Sequence, residues 1–131
     1  MTMNEMLMAA IEANGYKPQV DDDGDVFVRY QLKTIYFFVD KREETFLSAN
    51  LIRFADIAEG EDTLTLVACN RITRDSMFVK MYVDESLKSV SASCEFFFTD
   101  TDSLAVYVKY SMEMLSLARN TYRKVMDMIR E

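Results

Sequence analysis

Between Thr101 and Arg130 the apolar residues Leu104, Val108, Leu115, Ala118, Tyr122, Val125 and Ile129, with Ser111 in the same series, step alternately by four and three. That spacing sets them on one stripe of a helix. The line Lys109, Glu113, Ser116, Asn120, Arg123, Asp127 and Arg130 repeats the steps as a polar face. Asp102 after Thr101 is a helix-start signal, and neither Gly nor Pro occurs between it and Arg130. The pattern predicts one uninterrupted amphipathic helix of roughly 43 Å at about 1.5 Å per residue. A compact chain of this length has a radius of gyration of about 14 Å, so the helix crosses the whole domain and needs a broad apolar surface to lie on.

The middle of the chain supplies that surface. Val26, Val28, Tyr30 and Leu32 alternate with Phe27, Arg29 and Gln31, and Ile35, Phe37 and Val39 alternate with Tyr36, Phe38 and Asp40. Both runs have strand spacing. Thr45 to Phe54 reads as a third long strand with Phe46, Ile52 and Phe54 on one face. Met77, Val79, Met81 and Val83, then Val90, Ala92, Cys94, Phe96 and Phe98, predict a hairpin turning at Asp84-Glu85-Ser86. Tyr16 to Val20 contains the only proline, Pro18, which cannot donate to a sheet ladder, so this short extended piece belongs at an edge.

Two shorter helices complete the pattern. Thr2-Met3-Asn4-Glu5 has the form of a capping box, Met3, Leu7, Ala10 and Ile11 keep helical spacing, and Asn14-Gly15 forms the stop. Leu64, Val67, Ala68 and Ile72 predict a second helix over 62–73, with Arg71 and Arg74 in its last turn. The alternation Thr63-Leu64-Thr65-Leu66-Val67 leaves a strand as the alternative. The expectation is a single α+β domain over residues 1–131. Its antiparallel sheet has about five to six strands, covered on one face by a short N-terminal, a short inserted and a long C-terminal helix.

This order and these segments resemble the YbjN-type proteins, which share the fold of type III secretion chaperones. The resemblance rests on the N-terminal helix, the strands around the acidic Gly turn and the helix carrying Leu66-Val67-Ala68-Cys69-Asn70-Arg71-Ile72. It also includes the strand pair and the terminal helix. It implies a non-enzymatic protein of chaperone or regulator type, usually dimeric, that binds protein segments.

Composition narrows the chemistry. The chain has 131 residues, half of them apolar, and 22 acidic against 15 basic residues give −7. That charge repels phosphate backbones, and no clustered Lys/Arg face is legible, so no nucleic-acid partner is expected. No membrane span and no secretory leader are legible, and Cys69 and Cys94 read as buried free thiols of a cytoplasmic protein. The chain contains no histidine, and Gly15, Gly24 and Gly60 are too scattered for a phosphate loop. With Gly24 at the sixth position of a calcium loop, Gln19 and Tyr30 fall where oxygen ligands belong. Asp21 to Asp25 therefore reads as a hairpin turn. No cofactor, metal or catalytic residue is expected.

The strands carry rings on both faces. If Ile35, Phe37, Val39, Val79, Met81, Val83, Ala92, Cys94 and Phe96 meet the helices, Phe27, Tyr36, Phe38, Phe78, Tyr82 and Phe97 fall on the other face. A half-solvated sheet shows mainly polar groups to water, and apolar patches of this size mark interaction sites. Phe38, Phe78, Tyr82 and Phe97 are the expected partner or dimer surface, for a homodimer or a peptide client. The alternative is a small-molecule-binding domain or enzyme with its pocket between helix and sheet.

Overall fold

The computed structural model describes residues 1–130. Helix α1, Met3–Ala13, is capped by Thr2, whose Oγ1 accepts the Glu5 N–H at 3.1 Å. Its end is fixed by two bonds, Gly15 N–H to Glu12 O and Tyr16 N–H to Ile11 O, with Gly15 at φ 86°. Only a residue tolerant of that left-handed conformation closes a helix in this way.

Strands β1 (Gln19–Val20), β2 (Val26–Tyr30), β3 (Lys33–Val39) and β4 (Phe46–Asp56) come next. Helix α2 (Asp62–Asp75) precedes β5 (Val79–Val83) and β6 (Ser89–Phe97), and α3 (Thr101–Ser116) and α4 (Ala118–Ile129) end the chain. The six strands form one sheet in the order β1-β2-β3-β4-β6-β5, every neighbouring pair antiparallel. The inserted segment is a helix, so the strand alternative for 63–67 is set aside. The α+β architecture is that expected.

Register fixes which residues share a face. Val26 lies opposite Phe37, Phe37 opposite Ala49, Ala49 opposite Cys94, and Cys94 opposite Val79. This row faces the helices and, Val79 apart, is buried with Leu104, Val108, Met112 and Leu115 of α3. Helix α1 is tied to α3 where Asn14 Nδ2 donates to Ala105 O at 3.0 Å. Helix α2 meets α4 through a 3.0 Å hydrogen bond between the Thr65 and Tyr122 hydroxyls, both buried.

Three expectations are corrected. The C-terminal helix is bent, not continuous: Leu117 separates α3 from α4 and its N–H reaches back only to Met114 O. No Gly or Pro lies there. Instead Ser116 Oγ donates to Glu113 O at 2.6 Å, an intrahelical bond of the kind that bends helices. The bend rotates the stripe, so Ser116 is buried and Met126 joins Tyr122 in the core, while Val125 and Ile129 move to its margin.

Strand β2 stops before Leu32. Gln31 and Leu32 form a two-residue turn at φ 49° and 67°, and Leu32 is exposed. A turn with two positive φ values favours Asn and Gly, and neither residue gives that signal.

Strand β4 does not keep one face. Leu51 pairs with Ala92 and Ala55 with Val90, so a bulge adds two residues to β4 between these pairs. Beyond it Phe54 turns to the helices, 6.0 Å from the Tyr122 ring, while Phe46 and Ile52 remain on the other side.

Candidate functional site

The helix-free face of the sheet is built from the alternate residues of the same strands. Phe27 on β2 lies opposite Tyr36 on β3, with ring centres 5.3 Å apart, and Phe38 lies 6.1 Å from Tyr36. Phe46 and Phe97 pair across β4 and β6 at 5.0 Å. On β5, Tyr82 stands with Lys80, whose ammonium lies 5.6 Å from the ring centre and is paired to Glu95. Between these aromatic margins the strands carry Ser48, Asn50, Ser91 and Ser93. Rings therefore stand towards the margins of this face, with polar groups between them.

Of these polar residues Asn50, Ser91 and Ser93 are buried. Asn50 Nδ2 donates to Tyr36 O and Ser48 Oγ, and Ser91 Oγ accepts the Arg53 N–H. Among the described residues, Ser93 Oγ has no hydrogen-bond partner. A buried polar atom without a partner costs free energy. Phe97 is 63% exposed, the most open ring of the face.

Three of the four expected surface residues, Phe38, Tyr82 and Phe97, are on this face, but they are not one cluster. Phe38 and Tyr82 lie on opposite margins, and Phe97 closes one end. Phe78 is elsewhere. It precedes β5 at φ 74°, and its ring packs 6.0 Å from Phe96 and 6.3 Å from Tyr107, on the helix side. The turn at Phe78 breaks the strand phase by one residue, which sequence alternation alone cannot show.

Both sheet edges are blunted. β1 is two residues long and lies just after Pro18. At the other edge, Thr73 Oγ1 of α2 accepts the Met81 N–H at 2.9 Å and donates to Met81 O at 3.1 Å. These are the groups an added strand would need, so the flat face is more open to a partner than the edges.

Two further clusters bear on chemistry. Asp21, Asp23 and Asp25 bring carboxylate oxygens within 4.8 Å of one another. Asp21 Oδ1 accepts the N–H groups of Asp23 and Asp25, the bonding of an Asx-stabilised turn. Partial burial and the neighbouring Asp21 and Asp23 charges raise the Asp25 carboxyl above the usual range.

The second cluster is a basic cleft. Arg53 on the β4 bulge and Arg119, Arg123 and Arg130 on α4 line one concavity, so the expectation of no clustered Lys/Arg face does not hold locally. Helical spacing in 119–130 was the only available signal; nothing in the sequence places Arg53 beside it.

Cys69 and Cys94 are both buried free thiols, as expected. Burial pushes Cys69 up to about 11 and Cys94 up to about 12. Both thiols are therefore protonated at neutral pH and unreactive as nucleophiles. Folding keeps these protons where the unfolded chain begins to lose them. The stabilisation is complete below the unfolded thiol range of about 8.5 and declines as pH rises toward the folded values. A thiol-specific chromogenic reagent is expected to label neither cysteine of the native protein at pH 8 and both in denaturant. Rapid native labelling would show that the sites open.

A six-stranded antiparallel sheet with helices packed on one face is the secretion chaperone-like α+β fold. The structure is similar to the Yersinia pestis type III secretion chaperone SycH, solved with a stable fragment of YscM2. The TM-score is 0.55 at 15% identity, covering 92% of this chain and 97% of that one. It is also similar to the crystal structure of YbjN from E. coli, with TM-score 0.65 at 13% identity, covering 89% and 87%. The chain belongs to the YbjN family, described as "Putative bacterial sensory transduction regulator", which matches residues 4–108. No curated protein sequence matches it. Among the described residues, no helix is long and apolar enough to cross a membrane.

Proposed function

We propose that this protein is a cytoplasmic, non-enzymatic module of chaperone or regulator type that forms a homodimer and binds a protein segment through hydrophobic surface. The observation that carries this reading is the helix-free sheet face, with its partly exposed aromatic rings and the open ring of Phe97. A facing surface would bury the rings. Burial of one ring of this kind contributes roughly 1.5–3 kcal/mol, so a few such rings suffice for a stable contact. Family membership and the likeness to a chaperone solved with a protein fragment support a regulator- or chaperone-like role.

A dilution series on a sizing column with light scattering tests the dimer. Twice the chain mass, persisting on dilution, is the expected result. A monomer at every concentration would leave the sheet face without its proposed cover and refute the dimer.

A second reading, a small-molecule-binding domain with its pocket between helix and sheet, is favoured by one observation, the arginine-lined cleft between β4 and α4.

A further inference from the structure

The cleft between the β4 bulge and α4 has a volume of about 470 Å³. Arg53, Arg119, Arg123 and Arg130 line it, in a chain whose formal charge is −7. An adjoining hollow of about 230 Å³ shares Arg53 and Arg119 and adds Lys33. Asp56 is the carboxylate that lines the cleft.

Three of the arginines are held in place, Arg119 by a neutral carbonyl and Arg53 and Arg130 by carboxylates that offset their charge. Arg53 Nε lies 3.4 Å from Asp84 Oδ1, which is outside the cleft lining. Arg119 donates through Nε and Nη2 to Phe54 O, a neutral acceptor, at 3.2 and 2.9 Å. Arg130 donates through Nε and Nη2 to the two oxygens of Glu61, each at 2.7 Å, and through Nη1 to Asp127 Oδ1 at 3.3 Å, so the free charge of the cleft rests on Arg119 and Arg123. Arg123 has no carboxylate partner among the described residues. The backbone adds a second, independent sign. Arg53 sits at φ 50°, its N–H turned to Ser91 Oγ, at the point where the bulge re-aims the strand. Strained non-glycine residues at bulges are retained where the displaced side chain has a task.

We propose that this cleft binds a small phosphate-bearing molecule of the diphosphate class. Guanidinium forks match phosphate oxygens in pairs and with charge assistance. The volume lies in the range of small-ligand sites, about 300–1,000 Å³. Phe54, Tyr122 and Met126 form a nearly covered apolar wall behind the arginines, which concentrates their field in the cleft. Size is selected by the rest of the molecule. Charges act over about 8 Å at physiological salt, so a compact anion senses the arginines, whereas a long polyanion also meets the acidic surface. This proposal is independent of the sheet-face dimer.

Calorimetric titration of the full chain with inorganic pyrophosphate, and separately with ADP, at low ionic strength tests it. Saturable one-site binding is expected. Arg123→Gln is expected to weaken it about tenfold, the loss of one charge-assisted contact, without unfolding an exposed and unpaired position. Lys33→Gln is expected to weaken it less, and Arg42→Gln, remote in the β3–β4 turn, to leave it unchanged. No saturable heat with either anion, or equal affinity in Arg123→Gln, overturns the proposal. So does an Asp/Glu-rich peptide that displaces pyrophosphate at lower concentration, which would assign the cleft to an acidic segment.

Discussion

Replacing Phe38 and Phe97 together with serine is expected to convert the proposed dimer to a monomer while the chain stays folded. Both rings belong to the helix-free face, and neither is enclosed by its own domain: Phe38 is half-buried and Phe97 exposed. Two rings removed from a facing surface remove roughly 3–6 kcal/mol of association free energy at about 1.5–3 kcal/mol each. Since each 1.4 kcal/mol is about tenfold, the dissociation constant is expected to rise by roughly two to four orders of magnitude. Light scattering over a dilution series reads the mass, and circular dichroism reads the fold. Phe78→Ser is the informative contrast, because its ring packs with Phe96 and Tyr107 inside the domain. It is expected to lower the melting temperature and leave the association constant near its starting value. If Phe78→Ser separates the subunits and the Phe38/Phe97 pair does not, the interface lies on the helix side.

The largest loss of stability is expected from Phe37→Ala. Phe37 is 1% exposed on β3, between Val26 and Ala49 in register and beneath the helices. Truncation removes the ring's transfer free energy and leaves a cavity that a close-packed core closes only in part, a loss of about 3–5 kcal/mol. That is a large share of the roughly 5–15 kcal/mol by which domains are stable. With a urea dependence of about 2 kcal/mol per molar, the unfolding midpoint should fall by roughly 2 M. Phe38→Ala, one residue along and on the opposite face, is expected to cost much less in the monomer. Equal losses at the two positions would mean that the sheet is covered on both sides within one chain.

These two neighbouring phenylalanines mark where sequence alone suffices. The alternation through Ile35, Phe37 and Val39 assigns them to one face because strand side chains repeat every two residues, and the register confirms it. The same periodicity carried β2, β5 and β6, and the cap signals at Thr2 and Gly15 fixed α1. These are local rules, decided by residues within one turn or one pleat.

Tertiary structure decided the rest. The β4 bulge moves Phe54 to the core and leaves Ile52 on the other face because the strand sets two extra residues against β6, and pairing is a property of two distant segments. The left-handed backbone at Phe78 turns its ring toward Tyr107, and the bend at Leu117 exchanges Met126 for Val125 at the centre of the helix stripe. The basic cleft exists only because the bulge carries Arg53 to the arginines of α4. Periodicity along the chain determined which residues can share a face. Which faces meet, and which charges gather, was set by long-range pairing and packing, whose energies depend on residues far apart in sequence.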